Sequence, residues 1–170
     1  TAQIAVQASL TGHLVLATLH TNDSVSAVTR LADMGVEPYL LASSLLGVLA
    51  QRLVRCLCPA CREAAPATHG EAAVLEGLGL PAATRPWQAT GCESCARSGY
   101  RGRTGIYELM LVDDEVRHAI HDRSGEPSLR QLTSRRGLRT LAMDGARWVA
   151  DGTTSLSELL RVTGAGGNGG

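Results

Sequence analysis

The stretch Thr1-Ala2-Gln3-Ile4-Ala5-Val6-Gln7-Ala8-Ser9-Leu10 places its apolar residues at helical spacing, with no capping side chain ahead of it. It predicts a helix whose start lies upstream, and the chain reads as a piece of a longer protein. Thr11-Gly12 breaks the pattern. Leu14 to Leu19 is then apolar apart from one Thr, short, and bounded by His13 and His20. Such a run suits a strand buried on both faces, as in a parallel sheet. Thr21-Asn22-Asp23-Ser24 is rich in helix-capping side chains, Val25, Val28, Leu31 and Ala32 follow at helical spacing, and Gly35 sits where a helix stops. Helix, strand and helix in this order predict part of an α/β sandwich.

Pro38 opens another helix, from Tyr39 to about Leu46, with Gly47 as its stop. Val48 to Leu57 fits helix or strand, and periodicity does not choose between them. From Cys58 to about Tyr100 the periodic pattern lapses: four Cys, four Pro and many Ala and Gly appear, with one helical stretch near Glu71 to Leu78. Gly105 to Val112 returns to a strand-like pattern. Asp113-Asp114 caps a helix through about Asp122, and Leu129 to Arg136, Leu141 to Ala150 and Ser155 to Val162 read as further helices. The tail from Gly164 to Gly170 is Gly-rich and expected to be flexible.

Composition narrows the picture. The chain has 170 residues, 44% hydrophobic, with no Phe and only 3% aromatic residues, so its core rests on Leu, Val, Ile and Ala. Sixteen basic and sixteen acidic residues cancel, which argues against a dedicated nucleic-acid binder. Every basic residue of the Lys/Arg set is Arg. Without a Lys the chain holds no phosphate-binding loop ending in Gly-Lys-Ser/Thr. No apolar run reaches 18 residues, so no segment reads as a membrane span, and Thr1 to Leu10 lacks the basic start and cleavage site of a signal peptide.

The cysteines carry the sharpest chemistry. Cys58-Pro59-Ala60-Cys61 and Cys92-Glu93-Ser94-Cys95 are two Cys-x-x-Cys knuckles separated by thirty residues, the second flanked by Gly91 and Gly99. Two such pairs supply four thiolates for a tetrahedral zinc site, with no open position and hence a structural role. Two disulfides, or buried thiols with no ligand role, are the competing readings. Cys56, two residues before Cys58, would point away from the same metal or at best compete for it, and reads as a small buried hydrophobe.

His13 and His20 stand at opposite ends of the apolar run. In parallel sheets ligands bind beyond the carboxyl ends of strands, where His20 is followed by a helix N-terminus whose free N–H groups favour anions. A His there can polarise a phosphate or position water. Two ordinary strand-end residues fit the local pattern as well.

Thr11-Gly12-His13-Leu14-Val15-Leu16-Ala17-Thr18-Leu19-His20-Thr21-Asn22 resembles the histidine box of the bacterial secretion ATPases, the family of type II secretion and type IV pilus assembly. Thr1-Ala2 resembles the segment just after that family's Walker B region. Ala50-Gln51-Arg52-Leu53-Val54-Arg55, the paired knuckles, and Gly99-Tyr100-Arg101-Gly102-Arg103-Thr104-Gly105-Ile106-Tyr107-Glu108 match the family in the family's order, so the resemblance runs from Thr1 to about Val162.

The resemblance implies an α/β fold: the C-terminal half of a RecA-like P-loop ATPase core (1–57), a four-cysteine zinc-binding insertion (58–98), a return strand (99–112), a C-terminal helical subdomain (113–163) and a flexible tail (164–170). It implies a homohexamer, cytoplasmic and peripheral on the inner membrane, that uses ATP and Mg2+ and acts on an inner-membrane platform protein. His13 and His20 would be the histidine-box residues, with His20 near the γ-phosphate. Arg101 and Arg103 would lie near the nucleotide or a neighbouring subunit. Cys58, Cys61, Cys92 and Cys95 would hold structural Zn2+.

The phosphate-binding loop, the Asp box and most of Walker B would precede Thr1, so the chain alone is expected not to hydrolyse ATP. The spacer between the knuckles departs from the family's basic character, with only Arg62 and Arg85. An enzyme of the same superfamily with another task, DNA uptake or pilus retraction, is a further reading, and the cysteines weigh against retraction because that subgroup typically lacks them. A non-enzymatic zinc-ribbon module remains the alternative, and it requires a basic face near the knuckles.

Overall fold

A computed structural model describes residues 2–81 and 83–164, so the tail beyond Gly164 lies outside the described residues. The elements run α1 (Ala2–Leu10), α2 (Ser24–Asp33), α3 (Pro38–Ser44), β1 (Gly47–Leu57), β2 (Arg62–Ala64), α4 (His69–Gly77), β3 (Trp87–Ala89), a 3-10 turn (Glu93–Cys95), β4 (Tyr100–Leu111), α5 (Asp114–His121), α6 (Gly125–Arg135), α7 (Leu141–Ala150) and α8 (Leu156–Thr163). Strands β1 and β4 pair, as do β2 and β3. Among the described residues no helix is long and apolar enough to cross a membrane.

The chain forms two compact units. The first comprises the residues up to Ala50 and Glu108–Arg139. Its core gathers Val25 and Val28 of α2, Val36, Leu41 of α3, Met110 of β4, Val116 and Ile120 of α5, and Leu129 of α6. Helices α2 and α5 enter this core behind a side chain that satisfies free N–H groups, whereas α3 and α6 have no such side-chain cap. Asp23 accepts from Ser26 N at 2.8 Å, and Asp113 accepts from Val116 N at 3.0 Å. Arg117 ties α5 to α3 by donating to the Ala42 carbonyl at 2.8 Å.

Two expectations are corrected in this unit. Leu14 to Leu19 is not a buried strand: residues 13–20 form no ladder, and Leu14 and Leu16 are 77% and 88% exposed. A parallel strand acquires its burial from neighbours on both sides, and no described residue pairs with this run. Helix α3 ends at Ser44, and Gly47 starts β1 instead of closing a helix. The pairing decides this, because the Leu46 carbonyl already accepts from Val112 N at 3.0 Å.

The second unit comprises Gln51–Tyr107 and the residues from Thr140 on. Its buried residues include Val54, Leu57, Leu75, Ile106, Val149 and Leu159. Val48 to Leu57, ambiguous by pattern, is strand β1, in which Val54 and Leu57 are buried while Leu53 and Arg55 are exposed. The loop between α7 and α8 is stitched to β1: Leu57 N donates to the Thr153 carbonyl at 2.7 Å, and Thr154 Oγ1 donates to the Arg55 carbonyl at 2.8 Å. The helices of residues 113–163 are thus shared out, α5 and α6 to the first unit, α7 and α8 to the second.

Candidate metal centre

Both cysteine knuckles lie in the second unit, and local backbone bonds shape each of them. Strand β1 stops at Leu57, and Cys58 N donates to the Gly99 carbonyl at 2.9 Å. Cys61 N and Arg62 N both turn back to the Cys58 carbonyl, at 3.2 and 2.9 Å. In the second knuckle Cys95 N and Arg97 N return to the Cys92 carbonyl, at 3.3 and 2.7 Å. Gly91 and Gly99 have φ of +94° and +75°, a region that disfavours any side chain. A Cβ on Gly99 would sit 2.5 Å from the Ala89 Cβ, and one on Gly91 would sit 2.6 Å from the Arg97 carbonyl oxygen. The antiparallel pairing of β2 with β3, Arg62 opposite Ala89, then draws the knuckles together.

The four ligand atoms of Cys58, Cys61, Cys92 and Cys95 all lie within 4.8 Å of one another. Cys58 Sγ is 3.9 Å from Cys92 Sγ, Cys61 Sγ is 3.9 Å from Cys95 Sγ, and Cys92 and Cys95 are 3.8 Å apart. A disulfide needs about 2.05 Å between sulfurs, and all five cysteines are free. A tetrahedron with zinc–sulfur bonds of about 2.3 Å has sulfur–sulfur edges of about 3.8 Å. The four thiols therefore fit zinc and do not form the two disulfides.

The surroundings move two of these thiols in opposite directions. A bond from Cys92 N to Cys95 Sγ at 3.2 Å, aided by one from Gly99 N at 3.2 Å and opposed by burial, holds the Cys95 thiol down to about 6. Burial pushes the Cys61 thiol up to about 11, against a backbone bond from Gly91. Charge cannot collect on four clustered sulfurs without a cation, and a bound divalent metal deprotonates its thiols outright. Cys56 lies in β1 outside this cluster, and burial, with Asp151 nearby, pushes its thiol up. It is half-buried.

The lobe is fastened by residues that local patterns did not single out. Arg62 donates through Nη1 to the Gly152 carbonyl at 2.5 Å and stacks 4.6 Å from the Trp87 ring centroid. Arg55 stacks 4.0 Å from the Tyr100 ring centroid and pairs with Glu158 at 2.6 Å. Tyr100 Oη lies 2.7 Å from Ser155 Oγ.

The other candidate residues are solvent-facing. His13 is exposed, its Nδ1 3.0 Å from Thr11 Oγ1 and 3.3 Å from the Ala8 carbonyl. His20 is exposed at the end of the segment 13–20, which has no regular secondary structure, in the first unit. Arg101 and Arg103 are exposed in the second unit, on strand β4. The expectation of an anion at the α2 N-terminus is also corrected. Ser24 N donates to Glu108 Oε1 at 2.9 Å and Ser26 N donates to Asp23 Oδ1 at 2.8 Å. These two N–H groups of the helix end are thus already engaged by carboxylates of the chain itself.

The sequence matches the family described as Type II/IV secretion system protein over residues 1–161. Type II secretion system protein HxcR of Pseudomonas aeruginosa is 58% identical over 163 residues, 96% of this chain and 31% of that protein. Type II secretion system protein E of Aeromonas hydrophila is 55% identical, and Type II secretion system ATPase E of Vibrio cholerae 53%, each over 96% of this chain and 32% of the relative. The chain spans about a third of the length of these curated relatives. Its fold is similar to the crystal structure of the pilus retraction motor PilT with bound ADP, with a TM-score of 0.60 at 20% identity, covering 94% of this chain and 35% of that one. With the match running from residue 1 to residue 161, and relatives more than half identical across nearly all of it, this chain belongs to the type II/IV secretion system protein family.

Proposed function

We propose that this chain is part of an ATPase that couples ATP hydrolysis to type II protein secretion or type IV pilus assembly. In this reading the intact protein is a cytoplasmic homohexamer that acts on a platform protein at the inner membrane. The observation that carries it is the 53% identity, across 96% of the chain, to a protein named Type II secretion system ATPase E.

Residues 1–57 would contribute the histidine-bearing part of a RecA-like core. His20 would face the γ-phosphate and position the attacking water, with His13 at the far end of the same segment, and Arg101 and Arg103 would face the nucleotide or a neighbouring subunit. Such groups act by orientation and charge stabilisation, the main contributions to phosphoryl transfer. Mg2+, when bound with ATP, would neutralise phosphate charge. This chain by itself would be inactive, because it has no Lys for a phosphate loop.

Cys58, Cys61, Cys92 and Cys95 would hold a zinc ion, which when bound cross-links the two knuckles. That link stabilises a lobe whose β2 and β3 have only three residues each. The zinc-ribbon module is disfavoured by Arg62, one of two Arg in the spacer, which is turned to Gly152 and Trp87 within its own unit. Arg62 is therefore engaged inside its own unit and adds little to a basic face.

The test is ATP turnover by the intact protein. His20→Ala is expected to lower kcat by about 10- to 100-fold while KM for ATP stays within about threefold. An unchanged kcat contradicts the assignment of His20.

A further inference from the structure

Glu108 breaks the rule of its own strand. Side chains of β4 alternate, and the buried face carries Ile106, Glu108 and Met110, exposed by 0%, 3% and 2%. A carboxylate among such neighbours is costly unless it is well bonded, and an apolar residue would pack there without that requirement. Glu108 meets it by accepting from both donors of Ser24: the backbone N–H at 2.9 Å and the hydroxyl at 2.5 Å. Ser24 is the first residue of α2, fully buried, four residues after His20.

The neighbouring residue is held from another side. Asp23 accepts from Arg130 of α6 at 3.0 Å, and Arg130 in turn pairs with Glu126 at 2.6 Å. Thr21 Oγ1 closes the intervening turn on the Asp23 carbonyl at 3.1 Å. The chain leaving His20 therefore runs directly into an anchored point. Residues 13–20, by contrast, form no ladder.

We propose that Glu108 is a positioning residue for the nucleotide-facing histidine: its buried carboxylate pins Ser24 and so fixes the turn that carries His20. This rests on the reading of His20 given above. A carboxylate is suited to the task because one oxygen accepts two donors at once, whereas an apolar residue would release the first turn of α2.

The test is a double-mutant cycle on ATP turnover by the intact protein. Glu108→Ala is expected to lower kcat by about tenfold with little change in KM. Glu108→Gln, whose carbonyl still accepts from Ser24, should recover most of that loss. In a His20→Ala background, Glu108→Ala should cost nothing further. Equal losses in both backgrounds, or Gln no better than Ala, overturn the proposal.

If His20→Ala alone leaves turnover unchanged, the reading of His20 fails and the proposal built on it falls with it. Amide exchange over residues 21–24 separates that failure from a failure of the anchor itself. Faster exchange in Glu108→Ala than in Glu108→Gln shows the anchor to be real, and equal exchange shows that it is not. Should Glu108→Ala not fold, Ser24→Ala removes the hydroxyl donor alone. It should give a smaller loss of kcat that again vanishes in the His20→Ala background, and persistence of that loss overturns the proposal.

Discussion

Glu158 has its side chain fully enclosed, and Arg55 and Arg161 both reach it, at 2.6 and 2.8 Å. Burial by itself would raise its carboxyl, but bonds from Arg161 and then Arg55 outweigh that and hold it at about 2, against an ordinary 4.5. A carboxyl lowered on folding adds stability above its unfolded value and loses it as pH falls through the folded one. The stabilisation from Glu158 is therefore complete above about pH 4.5 and fades toward pH 2, by on the order of 3 kcal/mol in total. Glu158→Gln should remove that acid-side slope, which urea unfolding at pH 7 and pH 3 will read. An unaltered slope contradicts the burial and pairing described. Neither this pair nor Ser24–Glu108 was legible in the sequence, because the partners stand 103 and 84 residues apart and no local spacing records them. The cysteines were legible, since each knuckle is a local motif whose chemistry survives without knowledge of the fold.

Among the elements, those with local signals at both ends were read well. Helix α7 runs from Leu141 to Ala150 as its apolar spacing predicts, behind the Thr140 cap. Elements defined by their partners were read less well: Leu14 to Leu19 has strand composition and no strand beside it, and β1 was ambiguous until its pairing with β4 settled it. The knuckle turn makes a prediction at this scale. Gly99→Ala must both strain a positive φ and displace Ala89, whose Cβ stands 2.5 Å from the new methyl group. It is expected to cost at least about 1 kcal/mol and to weaken zinc binding in a chelator competition. Gly70→Ala in α4 meets nothing within 4 Å and serves as the control that leaves zinc binding intact. Equal behaviour of the two variants would show that the close approach at Gly99 does not shape the site.

For the whole molecule, the resemblance read in the histidine box, the knuckles and the Gly-Arg-rich stretch before Glu108 led to the family that the comparisons establish over residues 1–161. What the sequence left open was how a spacer of thirty residues, Ala-rich and poor in large apolar side chains, keeps its shape. The structure answers with four sulfurs brought together from the two ends of the spacer and with Arg62 tying it to Gly152. The direct measurement is zinc content and X-ray absorption of the purified chain, alongside Cys92→Ser. One zinc per chain with four sulfur neighbours at about 2.3 Å, lost in Cys92→Ser together with protease resistance across residues 58–100, is the predicted result. A metal-free chain with an equally resistant lobe, or a variant that keeps a full equivalent of zinc, would contradict it.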